Sequence, residues 1–142
     1  MAIKLKPKHF GPLHMRTERP GSFTYTTDAG YKTRTGAPAT TEIAAPSDLI
    51  MAALASCIGV SLEMAAQKMK VDPGEIEIVI NASKALDLPN RFGSFTAVVH
   101  LEKIDDEILA AKLLKHAKEI CTVSNTMNAE VSVSLRRDEQ TS

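Results

Sequence analysis

The feature that most constrains this chain is one run, Pro46 to Met69, in which small and apolar residues dominate. Pro46-Ser47-Asp48 reads as a helix start: Ser47 is a candidate N-cap, Asp48 puts a carboxylate in the first turn, and Pro46 keeps the preceding segment from being helical. Leu49, Ala52, Ala53, Ser56, Cys57, Val60 and Met64 then recur at three- and four-residue steps, which predicts an apolar stripe on a helix running to about Met69. Small side chains on that stripe let another element approach closely. Between Ile43 and Ala66 the run also carries Pro46, Ser47, Asp48, Ser56, Ser61 and Glu63. Those residues make it too polar for a clean membrane span, so the helix is expected to be buried in a folded protein, with no membrane as partner.

The segments on either side are built for strands. From Phe10 to Thr41 the chain is rich in Thr, Gly and Pro, and two alternating runs, Ser22–Thr26 and Tyr31–Thr33, flank Asp28-Ala29-Gly30. That pattern predicts a hairpin, with Gly30 supplying a positive φ. After the helix, Val71-Asp72-Pro73-Gly74 punctuates; Glu75–Ile80 and Phe95–Leu101 read as strands separated by a loop at Leu88–Gly93. Asp105 or Asp106 starts a second helix, with Ile108, Ala111, Leu114, Ala117, Lys118 and Cys121 on one face, ending near Ile120. Ala129–Leu135 alternates as a last strand, and Arg136–Ser142 is a polar tail. The order hairpin, helix, two strands, helix, strand predicts an α+β fold with a largely antiparallel sheet, as one domain over residues 1–142. Two strongly apolar helices on so short a chain need more cover than one sheet gives, which points to a homodimer.

Charge and cysteine usage narrow the function. Lys plus Arg and Asp plus Glu each number 17 and there is no Trp, so neither a strong positive field nor stacking platforms favour nucleic acid. The N-terminus has no apolar signal core, and two cysteines without one fit a reducing, cytoplasmic setting, where thiols are metal-binding, catalytic or inert. His9, His14, His100 and His116 show no metal-ligand spacing with them, so no metal or cofactor is expected.

Cys57 by itself reads as a small core residue among Ala, Leu and Ile. Cys121 differs, because Cys121-Thr122-Val123-Ser124-Asn125-Thr126 surrounds it with hydroxyls and backbone donors. A helix or turn N-terminus there would lower its pKa; the alternative is a cysteine at a helix C-terminus with Ser124 and Asn125 merely making the turn.

Taken in order, Pro46-Ser47-Asp48-Leu49, Ala52-Ala53-Leu54-Ala55-Ser56-Cys57 and Cys121-Thr122-Val123-Ser124-Asn125-Thr126 resemble the OsmC/Ohr family, the osmotically inducible and organic-hydroperoxide-resistance proteins. The likeness covers nearly the whole chain. It implies an intertwined homodimer with two central helices packed against mostly antiparallel sheets and an active site at the subunit interface. By the same resemblance, Cys57 is the peroxidatic thiolate and Cys121 the cysteine that resolves its sulfenic acid as a disulfide. The substrate implied is an organic hydroperoxide or other small apolar molecule, in a channel lined by residues such as Leu54, Ile58 and Met64, with an external dithiol as reductant. An apolar helix face would raise the Cys57 pKa, so a cation is expected to offset the desolvation. Arg19 resembles the arginine of the organic-hydroperoxide branch, and Arg34 that of the osmotically inducible branch.

The chain departs from the family at two places. Where the hydroperoxidase branches carry Asn-Pro-Glu at the helix start, it has Ala45-Pro46-Ser47, leaving Asp48 or Glu42 as substitutes, and Thr122 stands where Pro is usual. Two readings follow: a thiol-dependent hydroperoxide reductase in oxidative stress defence, or a redox-sensing or ligand-binding dimer without efficient turnover. A third makes both cysteines inert.

Overall fold

The structure, a computed structural model, describes residues 7–136; the first residues and the polar tail beyond Arg136 lie outside the described residues. In chain order the elements are β1 (His14–Arg19), β2 (Ser22–Thr26), β3 (Lys32–Gly36), α1 (Pro46–Lys68), β4 (Ile76–Lys84), β5 (Phe92–Leu101), α2 (Glu107–Ile120), α3 (Thr122–Thr126) and β6 (Glu130–Leu135). The fold is α+β, as the element order predicts. It comprises two compact units, Met1–Leu49 and Ile50–Ser142, with the boundary inside α1.

In the first unit β1, β2 and β3 form an antiparallel sheet in that order. The β2–β3 hairpin is the one read from Asp28-Ala29-Gly30: Gly30 has φ 97°, and Thr27 N–H donates to the Tyr31 carbonyl at 2.8 Å. Strand β1 is an addition. All six of its residues are exposed, so it carries no alternating apolar face that a sequence pattern would reveal. After β3, the Thr35 hydroxyl and the Gly36 N–H both donate to the Ala44 carbonyl, at 2.8 and 3.0 Å, tying the approach to α1 against the strand.

Helix α1 begins one step earlier than Ser47 as cap would require. The Ala45 carbonyl accepts from Leu49 N–H at 3.1 Å, and the Ala45 N–H donates back to Asp48 Oδ2 at 2.9 Å. This is capping-box geometry with Asp48 as the returning side chain. Pro46 takes the first helical position, where its missing N–H costs nothing, and Ser47 falls inside the first turn.

The second unit is a β4-β5-β6 sheet with helices packed on it. Strands β4 and β5 are antiparallel, whereas β5 and β6 are parallel, the crossover between them being made by α2 and α3. Strands β4 and β5 outrun their sequence patterns, so β4 reaches Lys84 and β5 starts at Phe92. Helix α2 starts at Asp106, whose carboxylate accepts from the N–H groups of Ile108 and Leu109 at 2.9 and 3.3 Å. The core joins Leu54, Ile58, Leu62, Ala65 and Ala66 of α1 to Phe95, Ala97, Val99 and Leu101 of β5 and to Ala110, Leu113, Leu114 and Ala117 of α2.

The stripe read along α1 is not the one that enters this core. Ala52, Ala53, Ser56, Val60 and Met64 are exposed, Val60 by 56% and Met64 by 57%, while Leu54, Ile58, Ser61 and Leu62 face inward. The helix is apolar on several sides, so periodicity alone fits more than one stripe. Within this chain the side carrying Leu54, Ile58 and Leu62 meets the sheet and α2. The same all-round apolarity revises the membrane argument. With 23 residues and a mean hydropathy of 1.9 over its most apolar stretch, α1 is long and apolar enough to cross a membrane by length and composition. In this fold a third of that stretch is buried inside the protein.

Candidate thiol site

Helices α2 and α3 meet at a single residue. Cys121, at φ −72° and ψ 105°, is extended, and it serves as both C-cap of α2 and N-cap of α3. Its Sγ accepts from the Ser124 N–H at 3.4 Å, and its carbonyl accepts from the Asn125 N–H at 3.0 Å. Polar side chains close the junction: Asn125 Nδ2 donates to the Glu119 carbonyl at 3.0 Å, and Thr126 Oγ1 to the Thr122 carbonyl at 2.7 Å. The Cys-Thr-Val-Ser-Asn-Thr segment is therefore a short helix rather than an open turn. The residue types that suggested a turn are used to begin one helix as another ends.

The junction brings Cys121 to Cys57. Cys121 is fully buried and Cys57 half-buried on α1. The groups that favour the Cys57 thiolate are the backbone N–H groups of Val123 and Thr122, the Cys121 thiol and the Ser61 hydroxyl. Burial pushes the Cys57 thiol up, but these donors, the Val123 N–H foremost, outweigh it and hold the group below the ordinary thiol range. Cys121 goes the other way. Burial pushes it up, the Ser124 N–H opposes that, and the neighbouring Cys57 sulfur raises it further. The pair loses its first proton from Cys57.

One expectation, a lowered Cys121, is corrected. The Ser124 and Val123 N–H groups at the start of α3 do lower Cys121, but burial and the neighbouring Cys57 outweigh them and leave it above the ordinary thiol range.

Arg19 and Arg34 belong to the first compact unit, and both have carboxylate partners there. Arg34, within β3, donates from Nε to Glu18 Oε2 at 3.0 Å and has Nη1 3.9 Å from Glu42 Oε2. Arg19 ends β1 with Nη1 3.7 Å from Glu18 Oε1. Thr24 Oγ1 also donates to Glu18 Oε2, at 2.9 Å. The Thr24 hydroxyl and the Arg34 guanidinium hold the Glu18 carboxyl below the usual carboxylate range. Of the two acids considered as stand-ins for the helix-start Glu, Glu42 meets Arg34, whereas Asp48 is committed to starting α1.

The residues expected to line a channel are placed apart. Leu54 and Ile58 have no exposed surface and lie in the core, while Met64 is on the open side of the helix. Among the described residues no group of three His, Cys, Asp or Glu side chains is placed to hold a metal ion. Sequence reasoning passed over Ser61, Glu18 and the two peptide N–H groups. Ser61 carried a readable signal, being four residues after Cys57 and hence one helical turn along the same face.

Two cysteines, one on a long helix and one at a helix junction, packed with the β4-β5-β6 sheet, define a two-cysteine α+β class. The chain belongs to the OsmC-like protein family, whose model matches residues 39–136. No curated protein matches the sequence. Among solved structures, the organic hydroperoxide resistance protein OhrB of Bacillus subtilis is 25% identical, with a TM-score of 0.67 over 88% of this chain and 96% of that one. An organic hydroperoxide resistance protein OsmC from Legionella pneumophila shares 19% identity and a TM-score of 0.73 over 93% and 100% of the two chains. An OsmC-like protein from Mycoplasma pneumoniae shares 12% identity and a TM-score of 0.76, again over 93% and 100%.

Proposed function

We propose that this protein reduces organic hydroperoxides with Cys57 as the attacking thiolate and Cys121 as the resolving thiol. The observation that carries the reading is the interacting thiol pair, in which Cys57 is favoured as thiolate and Cys121 as thiol. Support also comes from family membership and from the likeness to the Bacillus subtilis hydroperoxide resistance protein.

In the first step the Cys57 thiolate attacks one oxygen of the O–O bond. The sulfur is oxidised to sulfenic acid, the O–O bond breaks, and the alkoxide leaves to be protonated to the alcohol. Next, the Cys121 sulfur attacks the sulfenic sulfur, forming the disulfide and releasing water. An external dithiol restores both thiols by exchange. Proton placement fits this order, because the attacking group must be ionised first and the resolving thiol must bring a proton for the departing hydroxide.

Arg19 and Arg34 enter by the family resemblance as cations serving the thiolate. Between them Arg34 is the one held by two carboxylates. The homodimer enters the same way, and the open apolar side of α1, with Val60 and Met64, suits a second copy. Reduced thiols in the working state fit a cytoplasmic setting.

A second reading, oxidant sensing without efficient turnover, draws on one observation: Ser47 stands at the helix start, and Asp48 is occupied as a cap. Consumption of an alkyl hydroperoxide with a dithiol reductant separates the two. Turnover far above that of a free thiol, abolished in Cys57→Ser, is expected. A Cys57→Ser protein that consumes hydroperoxide as fast as the parent overturns the proposal.

A further inference from the structure

The geometry points to Asn125 as the positioning residue of the resolving thiol: from α3 it grips the last turn of α2 on the other side of Cys121, and so sets where the Cys121 sulfur stands. The inference deepens the peroxidase reading and rests on it for its catalytic meaning.

Cys121 is the single residue between two helices, and its extended angles, φ −72° and ψ 105°, turn the chain from one to the other. A corner built on one residue has two soft torsions, and rotation about either swings the sulfur. Asn125 closes that corner at two points. Its backbone N–H donates to the Cys121 carbonyl at 3.0 Å, and its side-chain Nδ2 donates to the Glu119 carbonyl at 3.0 Å. The first bond asks nothing of the side chain, whereas the second needs a donor of this length. Glu119 lies in the last turn of α2, where carbonyls have no partner within the helix, so the amide also supplies an orphan acceptor with its donor.

The other polar bonds of α3 do not reach back to α2. Thr126 Oγ1 donates to the Thr122 carbonyl at 2.7 Å, inside α3, and the chain just beyond is held by Arg91, whose Nη1 donates to the Asn128 carbonyl at 3.2 Å. The Cys121 sulfur accepts from the Ser124 N–H at 3.4 Å, which ties it to α3. Helix propensity does not account for Asn125 either, since it is exposed within α3, where Ala, Lys or Glu are better formers. The bond across the corner does account for it. Cys121 has no exposed surface, so its sulfur meets Cys57 by placement, and a held corner raises the effective concentration of one thiol at the other.

The test is the equilibrium of the full-length protein with graded mixtures of glutathione and glutathione disulfide, read by mass mapping of the joined Cys57 and Cys121 peptides. In that exchange the S–S bond of glutathione disulfide breaks, the Cys57–Cys121 bond forms, and both thiol hydrogens leave on two glutathiones. The constant is therefore the effective concentration of one protein thiol at the other. Asn125→Leu keeps the size of the side chain and removes the donor; it is expected to lower the constant by roughly threefold to tenfold, the scale of one hydrogen bond. Asn125→Gln, which keeps the amide on a longer stem, is expected to lie nearer the parent. An Asn125→Leu protein with the parent constant overturns the assignment even where its unfolding midpoint falls, because Asn125 is then only a helix cap. A raised constant, an Asn125→Gln protein displaced as far as Asn125→Leu, or a parent that forms no such disulfide overturns it as well. Hydroperoxide consumption is measured on the same proteins: failure of the parent to consume it defeats the peroxidase reading, whereas an unmoved exchange constant defeats the role of Asn125.

Discussion

Cys57 and Cys121 act on one another across the α2–α3 junction, and their acidities move in opposite directions, Cys57 down and Cys121 up. Cys121 caps α3 with its sulfur accepting from the Ser124 N–H, while the N–H groups of Thr122 and Val123, the first of that short helix, favour the Cys57 thiolate. One thiol is thus buried and protonated beside another prepared to ionise. Sequential two-cysteine chemistry requires that asymmetry, since equal thiols would compete as nucleophiles.

Cys121→Ser is predicted to uncouple attack from resolution. With one equivalent of an alkyl hydroperoxide the variant should form Cys57 sulfenic acid, trapped as a 1,3-dione adduct on the Cys57 peptide, and steady turnover with a dithiol should fall by about tenfold or more. Undiminished turnover without adduct would remove Cys121 from the cycle.

Thiol reactivity should separate the two cysteines by pH. Because Cys57 ionises below the ordinary thiol range and Cys121 above it, iodoacetamide near neutral pH should modify Cys57 first, with Cys121 following only at alkaline pH. The linked stability effects have opposite signs. The Cys57 contribution is full above the unfolded pKa and is lost as pH falls through the lowered folded value. That of Cys121 is full below the unfolded pKa and is lost as pH rises through the raised folded value. Peptide-resolved alkylation reads each site separately, and Cys121 reacting first would contradict the assignment.

Glu18 is the hub of the ribbon, accepting from Thr24 and Arg34. Carboxyl NMR should place its titration below that of an ordinary glutamate, and Arg34→Ala should move it back up. Since the folded value is lowered, the attendant stabilisation is present above the unfolded pKa and disappears as pH falls through the folded one. An unmoved titration in Arg34→Ala would show that Thr24 alone sets it.

The two sides of α1 should respond differently to substitution. Leu54→Ala, which empties fully buried volume, is predicted to cost about 2–5 kcal/mol in denaturant unfolding. Met64→Lys, on the open side, should leave the secondary structure intact and shift the protein to a smaller species in sedimentation if a second copy covers that side. A parent protein already monomeric would defeat the dimer proposal.

Element types and order were legible because the hairpin at Asp28-Ala29-Gly30, the start of α2 at Asp106 and the alternation in β4 and β6 are local signals. Strand β1 was not, since an exposed strand has no apolar face to alternate. The orientation of α1 was not legible either, because a helix apolar on several sides offers more than one stripe and only tertiary packing selects Leu54, Ile58 and Leu62. At the site, the cysteines could be named from their motifs, but what tunes Cys57 is mainly backbone N–H groups, which have no residue type to read. Burial is the largest single influence on Cys57, and the donors that together outweigh it are not readable from residue types alone.

The central claim is that Cys57 and Cys121 act as one redox pair, and the most direct measurement is mass mapping of the non-reduced protein after a single equivalent of alkyl hydroperoxide. Loss of both free thiols, with a peptide pair joined through Cys57 and Cys121 and one alcohol formed per disulfide, is the predicted result. Two unmodified thiols with the hydroperoxide intact would contradict it.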